Sequence, residues 1–124
     1  MKNFYGNAIK GKNKELDWSR WTEVVSRDGG TPEWNHISSA IVDSYKNVLW
    51  TPEEDGLMLC HVWGANNGKC NIIDVNRGVL ICTLSQPTAN TSGPNRTWMP
   101  VYAGRMLQFQ NNSNACQAYF VPYK

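Results

Sequence analysis

The apolar residues of this 124-residue chain come in short runs, and turn-forming residues break every run. Fourteen Asn, ten Gly and six Pro supply the breaks. Asn bonds its own backbone and tolerates a left-handed conformation, Gly takes positive φ freely, and Pro presets φ for a turn. A chain punctuated in this way has no room for long helices. Seven to eight short strands, with turn signals every 8–12 residues or so, predict an antiparallel β-sandwich or barrel.

The runs place the strands. Trp21–Val25 opens the pattern, and Asn47–Trp50 is closed by Thr51-Pro52 and the acidic turn Glu53-Glu54-Asp55-Gly56. Leu57–Trp63 follows, with Leu57, Leu59, His61 and Trp63 on one face and Met58, Cys60 and Val62 on the other. Both faces are apolar, which predicts a central strand covered on both sides. Lys69–Val75, Gly78–Leu84, Trp98–Tyr102, Arg105–Gln110 and Ala115–Val121 complete the set. Residues 31–45 read two ways. Thr31-Pro32 looks like a helix start, with Trp34, Ile37, Ile41 and Tyr45 at helical spacing, whereas the β-branched ISSAIV stretch favours a strand, the reading preferred here.

Length predicts one domain, residues 21–124, behind an Asn/Lys-rich N-terminal lead or docking segment, residues 1–20. Charged residues are 18% of the chain beside six Trp and five Tyr, a balance that argues against disorder and against a coiled coil. A net charge of +2 does not point to nucleic acid or to a membrane surface. No apolar run reaches the roughly 18 residues of a membrane-spanning helix, and the N-terminus lacks a signal-peptide pattern. Cys60, Cys70, Cys82 and Cys116 form no CxxC pair and no zinc-ligand spacing. They read as free, buried thiols, with a disulfide pair or a reactive cysteine as the alternatives.

No catalytic residue, metal or cofactor is assigned. The acidic cluster reads as a solvated bend, and Asp17, Asp43 and Asp74 are isolated in sequence. His61, mid-strand among apolar neighbours, reads as a hydrogen-bonded core histidine, and neither His61 nor His36 belongs to an HExxH zinc motif. GxSxG, HExxH and Gly-rich phosphate loops are all missing from the sequence. Aromatic rings and amides are the chemistry of sugar recognition, since flat faces stack on pyranose rings and amides or guanidinium groups bond the hydroxyls. The candidate ligand-binding residues are therefore Trp63, Asn66 and Asn67 at one loop and Asn90, Asn95, Arg96 and Trp98 at the long polar loop, with Asn111 and Asn112 at a third turn. The alternative is that these Trp form a core rim and these Asn serve turn geometry. So many aromatic side chains in a small chain also predict self-association, with Tyr119 and Phe120 of the last strand as candidate interface residues.

Four segments carry a resemblance: LDWSRW (16–21), NVLWTPEEDGLMLCHVW (47–63), MPVYAGRMLQF (99–109) and AYFVPYK (118–124). In order and spacing they resemble the compact heads of phage and prophage tail fibres or receptor-binding proteins. Arg105 stands where that pattern usually has Asp, and residues 26–46 do not match it. The resemblance implies a jelly-roll-like antiparallel β-sandwich, similar in fold to the TNF/C1q heads, and a homotrimer. It implies a non-enzymatic virion protein of the tail tip, made in the host cytoplasm, that attaches to a bacterial surface glycan. The alternatives are a structural virion protein, a capsid decoration or tail-tip cap that binds only other virion proteins (tail proteins among them), and a bacterial carbohydrate-binding module.

Overall fold

The computed structural model describes residues 15–27, 33–44, 47–63, 68–86, 95–111 and 115–124. A 3-10 turn, η1 (Trp18–Arg20), precedes ten strands. They are β1 (Thr22–Arg27), β2 (Trp34–His36), β3 (Ile41–Ser44), β4 (Asn47–Trp50), β5 (Gly56–Trp63), β6 (Gly68–Asp74), β7 (Val79–Gln86), β8 (Asn95–Val101), β9 (Leu107–Asn111) and β10 (Ala115–Pro122). Two five-stranded sheets form, in the orders β2-β1-β10-β5-β8 and β3-β4-β9-β6-β7. Neighbours run antiparallel throughout the described residues. From β4 onward the chain changes sheet at every step except β6–β7, which is the wrapped path of a jelly roll.

Eight strands fall where the apolar runs predict them. The segment 31–45 supplies two more: β2 joins the first sheet and β3 the second, with a turn between them closed by Ala40 N–H donating to the Ile37 carbonyl. Its helical spacing of apolar residues is thus a coincidence of two short strands lying in different sheets. Trp34 turns inward and is buried, whereas Ile41 sits on the exposed β3 edge.

The core lies between the sheets. Met58, Cys60 and Val62 of β5 and Cys116, Ala118 and Phe120 of β10 meet Val48, Trp50, Cys70, Ile72, Leu107 and Phe109 from the second sheet. Trp50 and Phe120 pack edge-on, centroids 5.3 Å apart. The expectation that β5 is covered on both sides is corrected. Its Met58 face is fully buried, but Leu57, Leu59 and His61 stay half-exposed on the outer face of the first sheet.

Two tight turns use positive φ. Gly78 (φ 67°) closes the β6–β7 hairpin, where Arg77 N–H donates to Asp74 Oδ1, and Gly104 (φ 79°) turns the chain between β8 and β9.

Arg27 is a charged side chain buried in the sandwich, where Nη1 donates to the Asn111 carbonyl and the guanidinium lies 5.7 Å from the Trp34 ring centre. Hydrogen bonds to charged groups contribute about 1.5–3 kcal/mol. Arg27→Met is therefore expected to lower unfolding free energy by about 2 kcal/mol in urea titration. A stabilised variant would show that the buried charge is a net cost.

Candidate functional site

Strand register composes the outer face of the first sheet. One row across β1, β10, β5 and β8 is Glu23, Tyr119, Leu59, Trp98. The next is Ser26, Gln117, His61, Arg96, and on the other side lies Val121, Leu57, Pro100. Because side chains alternate along each strand, this face is set as soon as Met58, Cys60 and Val62 are committed to the core.

The described part of the lead, residues 15–20, runs back along the chain's own C-terminus. Leu16 bridges Tyr123, Asp17 N–H donates to the Pro122 carbonyl at 2.8 Å, and Lys124 N–H to that of Glu15 at 2.9 Å. Asp17 caps η1: its Oδ1 accepts from Ser19 N–H at 3.2 Å and Ser19 Oγ at 2.5 Å. Arg20 then joins three groups, with Nε on Asp17 Oδ2 (2.9 Å), Nη1 on Glu54 Oε2 (2.7 Å) and Nη2 on the Tyr123 carbonyl (2.7 Å). Glu54 of the acidic bend thus has a structural partner, and Asp55 accepts from Ala103 N–H at 2.9 Å.

The clamp delivers two tryptophans to the sheet. Trp21 stacks on Tyr119 (4.7 Å, 21°), Trp18 stacks on Trp21 (5.7 Å, 25°), and Trp98 meets both at 6.3 Å. Each such pair contributes about 0.5–1.5 kcal/mol beyond area burial. The group is nonetheless open to solvent, with Trp18 55%, Trp21 38% and Trp98 46% exposed. A polar chain flanks it. His61 Nε2 donates to Gln117 Oε1 (2.9 Å), and Gln117 Nε2 donates to Glu23 Oε2 (2.5 Å). Burial first, then the Glu23 carboxylate, pushes the Tyr119 phenol up. The reading of His61 as a core histidine is corrected: it is hydrogen-bonded, but it lies half-buried on the outer face, 6.4 Å from the Tyr119 ring.

The Ser19 hydroxyl and then Arg20 hold the Asp17 carboxyl below its ordinary value of 3.8. A depressed carboxylate stabilises the fold above its unfolded value, and that contribution is lost as pH falls through the folded value. Near-UV circular dichroism of the tryptophan stack is expected to fall as pH drops below 3.8. Asp17→Asn should lack this step; a step of the same size in the variant would assign it to another group.

The other sequence candidates divide. Arg96 is exposed on β8 beside His61, and Trp98 belongs to the aromatic group. Trp63 ends β5 and Asn95 begins β8. Asn66, Asn67, Asn90 and Asn112 lie outside the described residues. The flanks of their loops do converge: Val62 pairs with Asn95, Gly68 with Gln86, Cys70 with Asn111 and Ala115 with Trp63, so these connections all leave from one end of the sandwich. Asn111 is corrected from a loop residue to a fully buried one at the end of β9. Of the interface candidates, Tyr119 lies in the aromatic face, while Phe120 is buried inside its own chain against Trp50. The residues that pattern reading missed are Trp18 and Trp21. Their only sequence signal is the Asp-x-Ser cap beside them.

A second exposed apolar patch lies on β7. Val79, Leu80 and Ile81 are 51%, 53% and 45% exposed on the open edge of the second sheet, beside the β8 edge that carries Trp98. Among the described residues no helix is long and apolar enough to cross a membrane.

No family model and no curated protein matches the chain. Among solved structures, the crystal structure of pika GITRL is similar at 13% identity and a TM-score of 0.49, over 83% of this chain and 99% of that one. The sheet orders and the wrapped path make the chain an all-β, antiparallel jelly-roll sandwich.

Proposed function

We propose that this chain is a non-enzymatic attachment head of a phage or prophage virion, assembled as a homotrimer and directed at a bacterial surface saccharide. The observation that carries the assembly is the pair of unlike apolar patches on one chain, the Trp18/Trp21/Trp98 face and the Val79–Ile81 edge. Exposed apolar area of this kind marks an interaction surface, and an open apolar strand edge is a hazard unless covered. Two different patches that meet between copies make a head-to-tail contact, and such a contact gives a ring where the rotation between copies closes. Three is the number that the tail-tip resemblance implies.

The saccharide reading rests on the end of the sandwich where the Asn-bearing loops leave. Asn66, Asn67 and Asn90 belong to those loops, and Asn95, Arg96 and Trp63 stand at their roots. Amides and guanidinium groups match sugar hydroxyls, and three copies in fixed geometry multiply weak single-site affinity. A separate observation favours a second reading. The aromatic face carries its own hydrogen-bonding fringe of Gln117, His61 and Arg96, which also suits a monomeric carbohydrate-binding module.

Light scattering on a sizing column separates the two. A mass near three 14.0 kDa chains, stable to dilution, supports the attachment head. A monomer overturns the trimer and favours the single module. Binding of the trimer to bacterial cells and to a glycan array is then expected. Binding to virion tail components alone would assign a structural role instead.

A further inference from the structure

Register also composes the outer face of the second sheet. One row across β3, β4, β9, β6 and β7 is Ile41, Leu49, Gln108, Ile73, Leu80. The adjacent row is Ser44, Asn47, Gln110, Asn71, Thr83. The positions between them, Val48, Phe109 and Ile72, are fully buried, so both rows face away from the core on a packed support. The rows lie about 7 Å apart along the strands, and each spans about 19 Å across them. One is aliphatic around a single glutamine, with Ile41 63% and Leu80 53% exposed. The other carries only amides and hydroxyls. Neither row contains a charged residue, an aromatic ring or a Met. Asp43, in the β3 bulge, and Lys69, one row on, stand at the borders.

The polar row is partly linked. Thr83 Oγ1 donates to Asn71 Oδ1 (2.8 Å), and Asn71 Nδ2 donates to Gln110 Oε1 (3.0 Å). The links stop between Gln110 and Asn47, which are register partners. Asn47 Oδ1 is buried without a donor, and Gln110 Nε2 has no acceptor among the described residues. A buried acceptor left unpaired costs free energy, so this step of the row has hydrogen-bonding capacity to spare.

Charge and composition narrow the occupant. Protein interfaces favour Tyr, Trp, Phe, Met and Arg at their centres, and these rows have none of them. Anionic membranes and nucleic acids need Lys or Arg, which are also missing from both rows. A charged glycan finds no counter-charge. An uncharged face suits an uncharged ligand, and an amide row beside an aliphatic row suits a ligand that carries amide beside methyl. The acetamido group has that form.

We propose that the outer face of the second sheet is a binding site for a neutral glycan of N-acetylated hexosamines, laid across the strands. The acetamido methyl groups rest on Leu49 and Ile73. An acetamido carbonyl accepts from Gln110 Nε2, and its N–H donates to Asn47 Oδ1 once that side chain turns outward. Gln108, alone in the aliphatic row, is left for a ring hydroxyl. This site is separate from the Asn-bearing loops and from the tryptophan face, and it does not depend on the trimer.

The experiment titrates the full chain, labelled with nitrogen-15, with two probes and follows its amide spectrum. One probe is the β-1,4-linked tetramer of N-acetylglucosamine. The other is cellotetraose, which has a hydroxyl in place of each acetamido group. The expected result is saturable shifts at the Asn47, Asn71 and Gln110 side-chain amides, with affinity for the acetylated tetramer at least about tenfold higher than for cellotetraose. Gln110→Leu keeps the size of the side chain and removes its donor, and it should weaken binding by about tenfold. No shift at several millimolar acetylated tetramer, or equal affinity for the two probes, would overturn the proposal. Shifts confined to the loop roots at Trp63 and Asn95 would also overturn it, while leaving the saccharide reading of those loops in place. Shifts of the second-sheet amides on dilution of the protein alone would give the face to a second copy instead. The wild-type spectra decide this even if the variant fails to fold.

Discussion

Gly56→Ala is expected to remove about 3 kcal/mol or more of unfolding free energy, a large fraction of what a domain of this size has. A Cβ at this position would lie 2.3 Å from the Val121 carbonyl oxygen, 2.6 Å from Phe120 Cε1 and 2.9 Å from the Pro122 Cα. Two of these atoms are backbone of β10, the central strand of its sheet, and they cannot rotate away as a side-chain tip can. The strands must therefore separate where Gly56 pairs with Pro122, which disturbs the neighbouring Leu57–Val121 pair and the Trp50–Phe120 contact. Chemical denaturation of wild type and variant measures the loss. Gly78→Ala and Gly104→Ala are the comparison, since both have positive φ but nothing within 4 Å of the added carbon. They should each cost about 1 kcal/mol of backbone strain. A loss at Gly56 no larger than at these two would mean that β5 and β10 part cheaply.

Gly56 also shows where sequence reading stops. In the chain it ends an acidic turn, and a turn glycine is a sufficient local explanation. Its actual constraint comes from Val121 and Phe120, more than sixty positions away, and no local pattern carries that. Strands β4–β10 were legible because alternation and turn residues are local signals. Segment 31–45 was legible as strand from its β-branched residues but not as two strands, because β2 and β3 are too short for period two to stand out from period 3.6. The faces of β5 were separated correctly, but alternation does not say which face turns inward. Leu57 and Leu59 are as apolar as Met58, Cys60 and Val62, yet the latter set fills the core and the two leucines face out. Of the candidate site, Trp98, Arg96 and Tyr119 were legible as aromatic or donor residues on strands. Trp18 and Trp21 were not, because only the Asp17–Arg20–Glu54 clamp brings them onto the sheet.

Tyr119→Lys tests whether the exposed aromatic face is covered by neighbouring copies. Tyr119 is the centre of that face, under Trp21 and beside His61, on the middle strand of the sheet. If neighbouring copies cover the face, a lysine there puts a charge into every contact of the ring at once. An unpaired charge in a desolvated contact costs several kcal/mol, and the ring repeats that cost at each interface. In the single chain Tyr119 is only half-buried on the outer face, so a lysine head can reach water there and the fold itself should survive. The expected result is a folded protein whose mass falls from about three chains to one 14.0 kDa chain. Tyr119→Phe retains the stack on Trp21 and should keep the wild-type mass. Trp18→Ser removes an exposed ring without touching a strand and should weaken the assembly so that it dissociates on dilution. A Tyr119→Lys oligomer of unchanged mass would remove this face from the contact and leave the β7 edge as the surface to alter next. A Tyr119→Lys monomer that also loses binding to cells, where Tyr119→Phe retains it, would tie attachment to the assembled ring rather than to the single sandwich.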